Sequence, residues 1–166
     1  MNRAIMVDHL DSGGLPKEKV LQFAFLNSYF KTDQKYPLDD AILAYVYTNG
    51  YRFQPSKWRK IDEIPFDFIR RRVSVIMETE SHAEDINLQF IERFMVTKGA
   101  LEEVMKVSSF IEHVDTGVTT NLSPEDYQRI LSMAEDISNK GLRTIGVATK
   151  RLKPVCLDLF SFSCVF

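Results

Sequence analysis

Apolar residues recur at helical spacing in three stretches of this chain, and between them the period shortens to two. Gly13-Gly14-Leu15-Pro16 is a turn cluster that opens the first helical stretch. From Lys17 to Phe30, Val20, Phe23, Ala24 and Leu26 share a face, while Lys17, Glu18 and Lys19 solvate the first turn. Lys31 to Pro37 reads as a polar connector. The second helix carries Leu38, Ala41, Ile42, Tyr45 and Val46 as an i, i+3, i+4, i+7, i+8 stripe, and Asn49-Gly50 stops it.

The middle of the chain changes rhythm. Val73, Val75 and Met77 alternate with Arg72, Ser74 and Ile76, which predicts a strand. Asn87 to Thr97, rich in Ile, Phe, Met and Val, predicts its antiparallel partner, with the polar run Glu80–Asp85 as the loop between them. A short helix is expected from Ala100 to about Phe110, then a hairpin tip or exposed loop over Asp115–Asn121. The third long helix has the clearest start: Ser123 can cap it, Pro124 suits its first position, and Glu125 and Asp126 complement the positive end of the helix dipole. Tyr127, Ile130, Leu131, Ala134 and Ile137 supply its inner face and Gly141 ends it, before a strand over Leu142–Thr149. This order predicts an α+β layer, helices flanking a mostly antiparallel β-sheet, in one domain over 1–153. Residues 154–166 form an atypical apolar tail with one charge, either a last strand or an unnatural end.

Composition narrows the function classes. Net charge is −2, against a domain built to coat nucleic acid, and no partner of that kind is expected. Cys156 and Cys164 both fall in the last eleven residues, which excludes a disulfide framework and suggests a reducing compartment. No run reaches the ~20 apolar residues of a membrane span, so a chain that is soluble on its own is expected, with no direct membrane insertion. Phosphate-loop, dinucleotide-fingerprint, nucleophile-elbow and His-Glu-x-x-His motifs are absent. His9, His82 and His113 lie far apart and are expected at the surface, with no metal site.

Three segments allow a sharper reading. Phe66 and Phe68 precede Arg70-Arg71-Arg72 as the chain enters a strand; a flat ring can stack on a purine, and cations can meet phosphate. The plainer reading is a basic strand start with a core Phe. Thr97-Lys98-Gly99-Ala100 puts a lysine and a glycine before a helix, where glycine allows a ligand close to the backbone; it also fits an ordinary strand-to-helix turn. Gly141-Leu142-Arg143 alone says little.

In this order and spacing the segments resemble the nucleotide-binding domain of P-type ATPases, and within them the bacterial-type magnesium-transporting ATPases. The resemblance rests on Asp62-Glu63-Ile64-Pro65-Phe66-Asp67-Phe68 with Arg70–Arg72, on Lys98-Gly99-Ala100, on Gly141-Leu142-Arg143 with Val147–Lys150, and on Leu38–Leu43. It covers about Val20 to Lys150. It implies that the ring of Phe66 stacks on adenine, that Lys98, Gly99 and Arg71 line the nucleotide site, that Arg143 approaches the phosphates, and that Asp39 contacts the adenosine end. Asp39 is one methylene shorter than the glutamate common elsewhere in the family, and Phe68 stands where calcium pumps carry arginine.

The resemblance further implies ATP as ligand, with Mg2+ accompanying it and held mainly by a phosphorylation domain that this sequence does not contain. The partners would be the phosphorylation and actuator domains of a parent pump, on the cytoplasmic side of a membrane. The motif Asp-Lys-Thr-Gly-Thr, which carries the phosphorylated aspartate in such pumps, is absent, so this chain is not expected to hydrolyse ATP alone. The alternative is a non-enzymatic interaction module that kept the fold and lost nucleotide binding. Whether Phe66 and Lys98 face one open pocket, or Phe66 is plugged into the core, distinguishes the two.

Overall fold

A computed structural model describes residues 4–83, 88–113 and 117–152. Two helices come first, α1 (Glu18–Phe30) and α2 (Pro37–Thr48). Three strands follow, β1 (Trp58–Asp67), β2 (Arg72–Ala83) and β3 (Leu88–Ala100), then the single-turn helix α3 (Leu101–Met105). Short strands β4 (Phe110–Glu112) and β5 (Thr119–Asn121) precede helix α4 (Pro124–Asn139) and strand β6 (Ile145–Leu152). The large sheet has the order β1-β2-β3-β6 with every neighbour antiparallel, and β4 and β5 form a separate two-stranded antiparallel pair. The fold is α+β, an antiparallel sheet flanked by helices, as the periodicities predict.

Register explains where the core lies. Val75 pairs with Val96 and Met77 with Phe94, so these residues share one face with Lys98, two positions beyond Val96. Helix α1 lays Leu21, Ala24, Phe25 and Leu26 on that face, and α2 adds Ile42 and Val46. Each fully buried side chain of this size contributes about 1.5–3 kcal/mol through the hydrophobic effect. Asn27 Nδ2 donates to the Val96 carbonyl at 2.8 Å, locking helix against sheet.

Strand β1 is the main element the periodicity does not predict. It is an edge strand with charges at Arg59, Lys60, Asp62 and Glu63, a proline at 65, and breaks in register at Lys60/Asp62 and Ile64/Asp67. Charge, proline and bulges blunt sheet edges against aggregation, and they also erase the alternation by which a strand is recognised. Helix α3 is shorter than expected: Ala100 still pairs with Ile145 at the end of β3, and past Met105 the chain turns, with the Ser108 N–H donating to the Met105 carbonyl, to enter β4 at Phe110. The expected loop over Glu80–Asp85 is replaced as far as Ala83 by strand β2, and the rest of it lies outside the described residues. So do the tail 154–166 and both cysteines.

His9 is a correction to the surface assignment. It is 8% exposed, with its ring edge-on to Tyr45 and Tyr51 at 5.8 and 5.6 Å. The Gly13–Pro16 turn folds the N-terminal segment back, with Lys17 N–H donating to the His9 carbonyl at 2.9 Å, and this carries the imidazole under α2. Helix α4 begins as predicted, with the Asp126 N–H donating to Ser123 Oγ at 3.0 Å. The five residues expected on its inner face, Tyr127, Ile130, Leu131, Ala134 and Ile137, are only half-buried.

Glu63 ties the β1 edge to the connector between α1 and α2. Its Oε2 accepts the Thr32 N–H at 2.9 Å and the Thr32 hydroxyl at 2.8 Å, and Lys60 pairs with it. Burial alone would raise its pKa; the hydrogen bonds from Lys60 and Thr32 outweigh that and bring it down to about 2. A carboxylate with a depressed native pKa contributes fully above its unfolded value of 4.5 and loses that contribution as pH falls toward about 2. Glu63→Gln is therefore expected to cost about 2–3 kcal/mol at pH 7, with the gap from the parent chain narrowing by pH 3. Urea denaturation at the two pH values measures it.

Candidate functional site

Lys98 projects from the core face of β3 at 3% exposure, an apolar setting that an ammonium occupies only with partners. Its Nζ donates to Asp39 Oδ1 at 2.6 Å and to the Ser28 hydroxyl on α1. Asp39 is placed there by local chemistry. Pro37 begins α2, and the carboxylate at the third helical position turns back to accept the Tyr36 N–H on Oδ2 at 3.0 Å. Lys31, the first residue past α1, donates to the same Oδ2 at 3.1 Å. Three charged side chains thus meet in the interior, two ammoniums on one carboxylate.

Burial pushes the Asp39 carboxyl up, but the charge and hydrogen bond of Lys98, with the Tyr36 N–H and Lys31, hold it below its ordinary value. Burial pushes the Lys98 ammonium below the usual lysine range; Asp39 opposes this and the charge of Lys31 adds to it.

From this cluster a line of rings runs outward. Lys31 Nζ lies 4.2 Å from the centroid of the Tyr36 ring, a cation–π contact. The Tyr36 ring meets Phe66 at 5.5 Å between centroids, and Phe66 meets Phe68 at 5.5 Å. Phe66 is half-buried near the end of β1 and does not belong to the main core cluster; Phe68, on the turn into β2, is 82% exposed. The six candidate residues therefore divide. Asp39 and Lys98 touch directly, and Phe66 joins them through Tyr36 and Lys31.

Gly99 and Arg71 meet at the end of the sheet. Gly99 pairs with Arg72 on one side and Gly146 on the other, and Arg71, in a left-handed conformation at φ 50°, accepts the Ala100 N–H at 3.0 Å. A Cβ on Gly99 would stand 2.3 Å from the Arg71 carbonyl oxygen, so the backbone that approaches this glycine closely is the β1–β2 turn. Glu103 on α3 is held below its ordinary carboxylate value by the hydrogen bond from Lys106, with smaller contributions from the charges of Arg71 and Arg72. Arg143 is exposed on the approach to β6, two residues before Ile145, the partner of Ala100. An open groove of about 490 Å³ lies between β1 and the α1–α2 connector, lined by Thr32, Asp33, Lys60, Ile61, Asp62, Glu63 and Pro65, and none of the six candidates lines it.

Ser28, Lys31 and Tyr36 are the members of this arrangement that sequence reasoning missed. Ser28 lies within a helix and the other two in what reads as a polar connector; nothing in their spacing announces that the connector folds inward.

Comparison with known proteins decides the family. A family model described as P-type ATPase, cytoplasmic domain N, matches residues 31–162. This chain belongs to that family. A magnesium-transporting ATPase, P-type 1, of Salmonella typhimurium is 38% identical over 151 residues, covering 91% of this chain and 16% of the relative. The Escherichia coli protein of the same description is 37% identical over 153 residues, with the same coverage. A calcium-transporting ATPase of Bacillus subtilis is 29% identical over 148 residues. The chain thus spans about a sixth of the length of the magnesium-transporting relatives. Among the described residues, no helix is long and apolar enough to cross a membrane.

Proposed function

We propose that this N domain binds ATP as part of a magnesium-transporting P-type ATPase and presents its γ-phosphate to an aspartate outside this sequence. The observation that carries the reading is Phe66: an aromatic ring held outside the core, half-buried, and linked through Tyr36 and Lys31 to the Asp39–Lys98 cluster. The ring is not a core plug, which favours the nucleotide reading over the interaction module; Lys98 does not share an open pocket with it and is closed in by Asp39 and Ser28. Phe66 offers a face for a purine; the buried lysine charges act on it through space; Arg71 and Arg143 offer positive charge for phosphates. ATP supplies the phosphoryl group and Mg2+ neutralises its charge, with the metal held mainly by the phosphorylation domain. The chain's own work is to bind and orient the nucleotide, on the cytoplasmic side of the membrane. Magnesium as the transported ion is carried over from the relatives' descriptions.

Phe66→Ala is expected to weaken ATP binding by about 1–3 kcal/mol, the range for base–aromatic stacking. Calorimetric titration of the folded variant and the parent chain measures this. Equal affinities would overturn the stacking role.

A further inference from the structure

The buried cluster carries more positive than negative charge. Lys31, Asp39 and Lys98 have side chains 2%, 3% and 3% exposed, and their remaining partners, the Ser28 hydroxyl, the Tyr36 N–H and the Tyr36 ring, are neutral. A second ammonium is not needed to satisfy Asp39. Lys98 already takes Oδ1 and the Tyr36 N–H already takes Oδ2. Burying a surplus cation is unfavourable in a folded chain unless something electron-rich covers it. The surplus also has a direction, because Lys31 is the ammonium on the ring side, over Tyr36, whose ring meets Phe66.

We infer that Lys31 is a positioning residue of the ligand site, holding Tyr36 against Phe66 and giving the cluster the extra positive charge that an electron-rich nucleobase edge offsets. The inference rests on the nucleotide reading and extends it. Of the roughly four acceptor positions of a carboxylate, Asp39 uses three, for Lys98, Lys31 and the Tyr36 N–H. What the cluster presents to a ligand is therefore a net positive charge acting through the Tyr36 ring rather than free donors. A positive charge favours the electron-rich ring nitrogens of a base over its exocyclic amino group, which donates.

The test compares the full chain with Lys31→Met and Lys31→Arg, using ATP and inorganic tripolyphosphate as probes and thermal unfolding as the stability readout. Lys31→Met keeps the apolar stem and leaves Asp39 paired with Lys98, so its melting temperature is expected to equal or exceed that of the parent. Its ATP affinity is expected to fall about five- to tenfold, the scale of one charged contact. Tripolyphosphate binding stays within about twofold, because Lys31 acts at the base end. Lys31→Arg restores most of the ATP affinity.

ATP binding by Lys31→Met within about twofold of the parent would overturn the inference while leaving the nucleotide reading intact. So would a lowered melting temperature with equal losses for both probes, the signature of a purely structural lysine. A parent chain that shows no saturable ATP binding would sink the nucleotide reading, and this inference with it.

Discussion

Asp39→Ala is expected to cost about 3–5 kcal/mol of folding stability, because it strands two buried ammoniums on an interior that offers them only the Ser28 hydroxyl and the Tyr36 ring. That is a large share of the ~5–15 kcal/mol by which domains are usually stable. The physical content is specific. The loss comes from leaving charge uncompensated, so the triple variant Asp39→Leu, Lys31→Met, Lys98→Met should recover most of it. Urea denaturation of the parent, the single and the triple variant checks this; a triple variant as unstable as the single would contradict it. The pH dependence has a fixed sign. The native Asp39 carboxyl lies below its ordinary value, so its contribution is complete above the unfolded pKa of 3.8 and is lost as pH falls through the native one.

Gly99→Ala is the second large effect, about 3 kcal/mol of destabilisation. The new Cβ would stand 2.3 Å from the Arg71 carbonyl oxygen and 2.6 Å from the Arg72 Cα. Both are backbone atoms, so relief requires β2 and β3 to part at the turn, where Ala100 N–H also bonds Arg71. The family resemblance puts this glycine beside the nucleotide, which would predict lost affinity in a chain of unchanged stability. Packing predicts the reverse order: stability falls first. A melting temperature within about 1 °C of the parent would contradict the packing account.

How much of this was legible in the sequence depends on how local the cause is. The start of α4 was fully readable, because Ser123, Pro124 and Asp126 act within one turn. The β2–β3 pair was readable because Val73, Val75 and Met77 keep their alternation where one face is buried. Strand β1 was not, since an exposed edge with Lys60, Glu63 and Pro65 is selected against the pattern that marks a strand. The candidate residues Phe66, Lys98 and Asp39 were found by resemblance and ordering. Their mutual contact was invisible, because Lys98 and Asp39 are 59 positions apart and a lysine in a strand carries no sign of burial. Lys31 and Tyr36 were missed for a related reason: a polar connector between helices reads as solvated until the capping geometry of Asp39 draws it inward. His9 was misplaced because the tight turn at Gly13–Pro16, just before α1, folds it beneath two tyrosines.

The most direct test of the central claim, that the ring line and the buried charge cluster form one nucleobase site, is amide and side-chain NMR of the full chain titrated with ATP. The account predicts saturable shifts at Phe66, Tyr36 and Lys98 that follow one binding curve, with ring-current changes at Phe66. A folded spectrum with no shifts up to several millimolar ATP, or shifts confined to Arg71 and Arg143 while Phe66 and Lys98 stay still, would contradict it.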